Sequence, residues 1–386
     1  MYISLTFNSI YAKLITINLE VIIMENIQLE TMGLQPAFTE NNVAILLCSN
    51  NKYAPYLSVV LQSILENSSA AYNYDIIIFT RDINTENQTL IQQQLQEYNN
   101  FSIRFYDVTT QMQGHTDLFV GYNGSLTLEI YYRILSPYIL TNYDKLIYLD
   151  CDVIVNTDIS KLYAIDLQTD NYLLAACRDP YVVHCYQVNY ENIQKINGVN
   201  FPHDFDTNDY FNSGVLLLNL KAFRERYTLL EFFELARSGS WKYPDQDVLN
   251  YLTYKNRYML SMQWNMIAEW KMRKKSKKTQ TILDEYTLAY QDPYIIHYAT
   301  SPDKKPWSDN KRPFADIWWK YAVNTPFNEQ LQVNLIAIQK EQRKFKNKLK
   351  RLIEKMAKPI VNFFFPRNSK RGAKLRAMYF KKSNKN

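Results

Sequence analysis

Cysteine is scarce. Cys48, Cys151, Cys177 and Cys185 are spread over 386 residues with no C-x-x-C pair among them. That excludes a disulfide-built scaffold and a cysteine zinc site, and fits reduced thiols in a cytoplasm. No uninterrupted apolar run reaches the roughly 18 residues that a membrane-crossing helix requires, so an integral span is excluded. Internal repeats and Pro/Ser linkers are missing as well. Glycine is rare, 8 residues against 31 tyrosines. What is present in quantity is apolar matter: 47% hydrophobic and 15% aromatic residues, far more than a disordered chain carries.

Acidic residues are nearly absent from one end of the chain. From Pro326 onward there are 17 Lys/Arg and three acids, a net of +14, whereas the rest of the chain carries about −8. A basic tail on an acidic body points to a polyanionic surface as partner, either nucleic acid or anionic lipid. Within the tail, Phe345, Leu349, Leu352, Ile353 and Met356 mark one helical face among Lys and Arg, and Phe363-Phe-Phe365 follows. This pattern describes an interfacial amphipathic helix, and the density of positive charge favours lipid over a stripe packed on the body.

Three segments follow from these shifts. Residues 1–42 read as a poorly ordered extension. Met1 to Ile23 has the apolarity of a signal peptide, but Lys13 and Glu20 interrupt it and no small-residue cleavage site follows, so the expected initiator is Met24 or Met32. Residues 43–325 form the main domain and 326–386 the basic helical tail. In the main domain Val43-Ala-Ile-Leu-Leu-Cys48 is a continuous apolar run of the buried-strand kind. A helix from Pro55, a strand Asp75–Thr80, a Gln-rich helix Glu86–Tyr98 and a strand Phe101–Asp107 continue the alternation. A helix Leu128–Leu140, then strands Lys145–Leu149, Tyr172–Cys177, Ser213–Leu218 and Tyr294–His297, complete it. This βαβ order predicts an α/β fold, a mostly parallel sheet flanked by helices, with ligands at the carboxyl ends of the strands. Asn50, Asp150, Asp179 and His297 fall at such ends.

The run Lys145-Leu-Ile-Tyr-Leu149 ends in Asp150-Cys151-Asp152, and Val153-Ile-Val155 follows. Two carboxylates one residue apart on a rigid strand end can share one hard cation and leave its remaining positions open to diphosphate oxygens. Six motifs, this D-x-D among them, stand in order. They are Ile45-Leu-Leu-Cys-Ser49 with Tyr53-Ala-Pro-Tyr-Leu57, Tyr131-Tyr-Arg133, Leu146-Ile-Tyr-Leu-Asp-Cys-Asp152, Tyr210-Phe-Asn-Ser-Gly-Val215, Asp245-Gln-Asp-Val-Leu-Asn250, and His297 through Lys305-Pro-Trp307. On these residues the chain resembles glycosyltransferase family 8, over about Val43 to Trp319. That family includes bacterial lipooligosaccharide galactosyl- and glucosyltransferases and glycogenin.

The resemblance implies a GT-A fold with a Rossmann-like sheet and retaining transfer of glucose or galactose from a UDP-sugar with Mn2+, Mg2+ being the alternative. It implies that Asp150, Asp152 and His297 bind the metal and that Lys305 neutralises the diphosphate. Cys48, Ser49, Asn50 and Tyr53 would hold the uridine, the Tyr53 ring stacking on uracil, with Cys151 in the D-x-D. Arg133 would reach the diphosphate or sugar, and Asn212, Asp245, Gln246 and Asp179 would line the hexose, the Gln246 amide oxygen near the anomeric carbon. Asn50 stands where many relatives have Asp, and keeps an acceptor for the uracil N3–H. Lys52 stands where relatives have Asn, and the stretch from His297 to Lys305 is longer than the family's usual spacing and lacks its glycine.

The implied acceptor is a cell-surface glycan, lipid-linked or protein-linked, used at the cytoplasmic face of the plasma membrane, with the tail on its anionic inner surface. The basic segment Lys271–Lys278 reads as a solvated loop, with an anionic acceptor as its functional alternative. A nucleic-acid-binding protein is the competing class, but no RNA or DNA module signature appears and the tail's apolar stripe suits lipid, so no nucleic acid partner is expected. An inactive nucleotide-sugar binding module is the third reading, and the complete set of ligand residues argues against it.

Overall fold

Apolar runs too uniform for amphipathic helices become the central strands. In the computed structural model, which describes residues 33–113, 128–188, 205–238, 241, 243–270, 280–364, 369, 370 and 372, β1 (Asn42–Cys48) is buried at every position after Asn42. It pairs in parallel with β2 (Asn73–Thr80) and β4 (Lys145–Leu149), and β2 pairs in parallel with β3 (Phe101–Asp107). Next to β4 lies β7 (Phe211–Asn219), antiparallel to it and to β6 (Leu174–Arg178), which in turn pairs in parallel with β8 (Arg257–Leu260). The order β3-β2-β1-β4-β7-β6-β8 gives a seven-stranded, mostly parallel sheet. The α/β expectation holds, and β7 is its antiparallel exception.

A second sheet was not legible as such. β5 (Val153–Val155), β9 (Met266–Ile267) and β10 (Ile295–His297) form a three-stranded sheet in the order β5-β10-β9. His297 therefore does not stand at the carboxyl end of the main sheet, as the strand pattern suggested; it belongs to this small one. β10 runs antiparallel to β5 with His297 opposite Val153, and the Tyr298 N–H donates to the Asp152 carbonyl at 2.9 Å. That pairing carries the histidine to the D-x-D from 145 residues further along the chain.

Helices cover the sheet roughly where periodicity places them. Ala54–Glu66 starts with Pro55 in its first turn, which suits a residue without an N–H, and Thr85–Leu95 is capped by the Asn84 side chain on Asn87 N–H at 2.9 Å. The expected helix Leu128–Leu140 divides into a 3-10 turn, Leu128–Tyr131, and an α-helix, Tyr132–Ile139.

The folded body extends beyond the expected limits at both ends. Upstream of Val43, Ala37 N–H donates to Asp75 at 2.9 Å, and the Gln35 carbonyl accepts from Arg104 and Tyr143. Downstream, Phe327 and Leu331 are buried in the core, so the helix Asn328–Phe364 is rooted in the body. Beyond that root its apolar face is open: Phe345, Leu349, Leu352, Ile353 and Met356 are all exposed. Phe363 to Phe365 and Lys271–Lys278 lie outside the described side chains. No helix among the described residues is long and apolar enough to cross a membrane.

Candidate active site

Because β4 and β7 are antiparallel, the end of β4 meets the start of β7. Asp150 N–H donates to the Gly214 carbonyl at 2.8 Å, which sets Asn212-Ser213-Gly214 beside the D-x-D. β10 brings His297 to the same point. The ligand atoms of Asp150, Asp152 and His297 lie within 4.8 Å of one another. His297 Nε2 is 3.8 Å from Asp150 Oδ2 and 3.2 Å from Asp152 Oδ1. Two carboxylates and one imidazole, partly open to solvent, make an O,O,N set suited to Mn2+ and adequate for Mg2+.

Each carboxylate is held by groups that do not compete for this convergence. Asp150 Oδ1 accepts from Tyr148 Oη at 2.6 Å and Arg133 Nη2 at 2.9 Å, which leaves Oδ2 facing the histidine. Asp152 Oδ2 accepts from Lys305 Nζ, which also donates to the Tyr298 carbonyl at 2.6 Å. Burial acts to raise the Asp152 carboxyl, but Lys305 and His297 outweigh it and hold the group well below the ordinary carboxylate range. Although the stretch from His297 to Lys305 is long and has no glycine, a 3-10 turn at Pro302–Lys304 takes up the slack and Lys305 reaches the D-x-D.

Against this cluster opens a cavity of about 310 Å3. Its walls include Cys48, Ser49, Asn50 and Tyr53 from the end of β1, Arg133 from its helix, and Asp150 to Asp152. Asn50 Oδ1 accepts from Tyr53 N–H at 3.1 Å, capping the short turn that presents the tyrosine and keeping one lone pair free. Tyr53 stands edge-on to Trp307, and Trp307 stacks on Tyr56 with ring centroids 4.2 Å apart. Burial first, and Asp152 second, push the Tyr53 hydroxyl up to about 12, so it is a neutral ring at working pH. The Cys151 thiol donates to the Cys48 carbonyl at 3.2 Å, and burial keeps both thiols protonated.

Arg133 has a fuller set of protein partners than a phosphate-reaching residue needs. Besides Asp150 it lies 3.2 Å from Asp245, donates to the Ser213 and Ile130 carbonyls, and rests 4.2 Å over the Tyr148 ring. Burial works to lower its basicity, but Asp150 and Asp245 reverse that, so it stays a fixed cation between two acids. Asp245 also accepts from Ser213 Oγ at 2.9 Å, and its carboxyl is raised by burial against the pull of Arg133.

The Gln246 amide is pinned by its neighbours. Oε1 accepts from Ser213 N–H at 3.0 Å, and Nε2 donates to Asp179 Oδ2 and Tyr210 Oη, both at 3.2 Å. One lone pair of the oxygen remains. Asp179 differs from its sequence reading as an acid facing the sugar. Its Oδ1 accepts from Tyr181 and Val182 N–H, capping the helix Pro180–Val188, and its Oδ2 accepts from Asn212 and Gln246. Four donors occupy the lone pairs a carboxylate has, so Asp179 orients the two amides beside it.

Sequence reasoning missed Tyr148, Ser213 and Asn265. Tyr148 lies in β4 two residues before Asp150, which follows the strand's end, a period-2 signal that could have marked it. The turn ahead of the two-residue strand β9 leaves no such mark for Asn265.

This sheet, with the D-x-D at its central strand end, is a GT-A glycosyltransferase architecture. The chain belongs to the glycosyl transferase family 8, whose profile matches residues 44–311. It is 26% identical over 291 residues to General stress protein A of Bacillus subtilis, covering 74% of this chain and 94% of that protein. It is 31% identical over 208 residues to a putative glycosyltransferase of Haemophilus influenzae, spanning 53% of this chain but only 58% of the relative. A Lipopolysaccharide 1,2-glucosyltransferase of Escherichia coli is 28% identical over 201 residues, with about half of each chain aligned. Among solved structures, the WbbM bifunctional glycosyltransferase superposes with a TM-score of 0.67 at 23% identity, over 79% of this chain and 53% of that one. The galactosyltransferase LgtC in complex with donor and acceptor sugar analogs superposes with a TM-score of 0.56 at 22% identity, over 74% and 96%. At these identities the two structures speak for the fold.

Proposed function

We propose that this glycosyltransferase moves a hexose, glucose or galactose, from a UDP-sugar to a cell-surface glycan acceptor, lipid-linked or protein-linked, with retention at the anomeric carbon and dependence on Mn2+. The observation that carries the reading is the convergence of Asp150, Asp152 and His297, with Lys305 beside them, at the mouth of a cavity walled by the end of β1. Mn2+ held by those three residues supplies Lewis-acid neutralisation of the leaving diphosphate. Lys305 adds a point charge to the same oxygens. Tyr53 offers its ring to uracil, and Asn50 its remaining lone pair to the N3–H.

Double displacement needs a free carboxylate against the anomeric carbon. Asp245 is buried and tied to Arg133 and Ser213, and Asp179 is saturated, which favours front-face transfer. The glycosidic bond to UDP breaks as the acceptor oxygen forms its bond on the same face, and the departing phosphate oxygen takes the acceptor's hydroxyl proton. The open lone pair of Gln246 stabilises the positive charge that develops on the sugar. Release of UDP from a panel of UDP-sugars with Mn2+ and no acceptor tests the donor class; no release from any of them overturns it. Gln246→Ala is expected to lower kcat roughly tenfold or more with little change in donor KM. An unaltered kcat removes Gln246 from this role.

In this reading the enzyme is a peripheral, cytoplasmic protein that meets the anionic inner face of the plasma membrane through its tail. Its support is the charge split and the exposed face of the helix Asn328–Phe364. At about 1 kcal/mol per basic residue near an anionic surface, a minority of them suffices for attachment. Since Phe327 and Leu331 are buried and Gln339 bonds Asn310, a cut after Lys340 spares the body. Removal of residues 341–386 is expected to leave donor hydrolysis intact and to abolish pelleting with phosphatidylglycerol vesicles. Equal pelleting of both forms assigns the contact elsewhere.

A further inference from the structure

Asn265, 1% exposed and just ahead of β9, closes a chain of buried hydrogen bonds behind the cation cluster. The chain starts at Asp179, whose carboxylate only accepts. Asn212 must therefore aim its Nδ2 there, 3.2 Å away, and Gly214 N–H confirms the amide's orientation by donating to Asn212 Oδ1 at 3.0 Å. That oxygen also receives Asn265 Nδ2 at 2.9 Å. Asn265 Oδ1 is then the atom that faces His297 Nδ1, at 2.8 Å, and an amide oxygen can only accept. The Nδ1 position must carry the hydrogen, which leaves Nε2, 3.2 Å from Asp152 Oδ1 and 3.8 Å from Asp150 Oδ2, as the nitrogen available to a cation shared with the two aspartates.

We propose that Asn265 is the positioning residue that makes His297 an Nε2 metal ligand, with Asn212 and Asp179 fixing Asn265 in turn. The inference rests on the cation reading of Asp150, Asp152 and His297 given above. Outer partners of this type set ring orientation and basicity, and their loss typically costs about 10- to 100-fold in metal affinity.

The test uses full-length protein, Mn2+ alone, and electron paramagnetic resonance. Titration gives the affinity, and pulsed spectra report the 14N modulation of a coordinated imidazole. Wild type is expected to bind Mn2+ with that modulation. Asn265→Leu, close in shape but without an acceptor, is expected to bind about 10- to 100-fold more weakly and to lose the modulation. Asn265→Asp keeps an acceptor for Nδ1–H but sets its second oxygen against Asn212 Oδ1, so it is expected to keep the modulation and to bind more weakly than wild type but more tightly than Asn265→Leu. Thermal melts verify folding, and Asn265→Ala carries the same comparison should leucine prevent it. Wild type that binds no Mn2+ overturns the cation reading and this inference together. Wild type that binds, with unchanged affinity and modulation in a folded variant lacking the acceptor, overturns the inference alone, as does loss of the modulation in a folded Asn265→Asp that still binds Mn2+.

Discussion

Asp152→Asn is expected to remove Mn2+-dependent UDP binding and to lower turnover by about a thousandfold. Lewis-acid stabilisation of a leaving group is worth several kcal/mol, and about 4 kcal/mol corresponds to about 10^3 in rate. Asp152 gives one oxygen to the histidine side of the cluster and the other to Lys305, so its loss removes a cation ligand and the lysine's anchor at once. Alanine at this position does more. It leaves the Lys305 ammonium, 8% exposed, with the Tyr298 carbonyl as its hydrogen-bond acceptor, and an uncompensated buried charge of this kind costs about 3–5 kcal/mol. Asparagine keeps an oxygen for Lys305 and separates the two effects. Asp150→Ala is the companion: its Oδ1 partners Tyr148 and Arg133 stay anchored through the ring contact and Asp245. Calorimetry of Mn2+ and UDP on both variants decides the matter. Unchanged affinity in both overturns the metal assignment, whereas lost affinity with an intact melting transition supports it.

The sequence shows most clearly what is local. β1, β2 and β4 are apolar runs that end in polar residues, and an apolar strand buried on both faces has no other way to read, so the residues at their ends stand out as ligand positions from the chain's pattern alone. The D-x-D is legible for the same reason, because rigidity and two carboxylates lie within three residues. Illegible features depend on pairing over long separations. Strands of two and three residues have no measurable period, so β10 read as one more strand of the main sheet, ending in His297, and its pairing with β5 and β9 left no trace. Asp179 followed an apolar strand as a ligand would, yet the helix it caps claims half its lone pairs, and that depends on where Tyr181 and Val182 turn. Arg133 could be placed near the diphosphate, but not its bridging of Asp150 and Asp245, which come from two different elements. In the tail, spacing gave the apolar stripe, whereas the rooting of Phe327 and Leu331 in the core depends on a surface the spacing does not describe.

Gly214→Ala is expected to cost Mn2+ affinity about 100-fold, the upper end of what disturbed ligand orientation costs, along with about 1–3 kcal/mol of stability. The reason is space. A Cβ at this position would lie 2.3 Å from His297 Cε1, 2.9 Å from its Nδ1 and 2.8 Å from Asp150 Oδ2, and real side chains do not tolerate such separations. Something must move, and the backbone has little freedom to do so. β7 pairs with β4 as far as Val215, and beside it Gly214's own carbonyl accepts from Asp150 N–H while its N–H donates to Asn212 Oδ1. Asp150 is held by Tyr148 and Arg133. His297 is the part that yields, and any shift of the ring disturbs both its distances to the two aspartates and its bond to Asn265. The methyl group therefore acts on the cation site while adding no charge and removing no ligand. Mn2+ titration with a parallel thermal melt measures both consequences. Wild-type affinity in Gly214→Ala would show that the imidazole can take up its position with a methyl group in contact, and that the glycine serves strand packing alone.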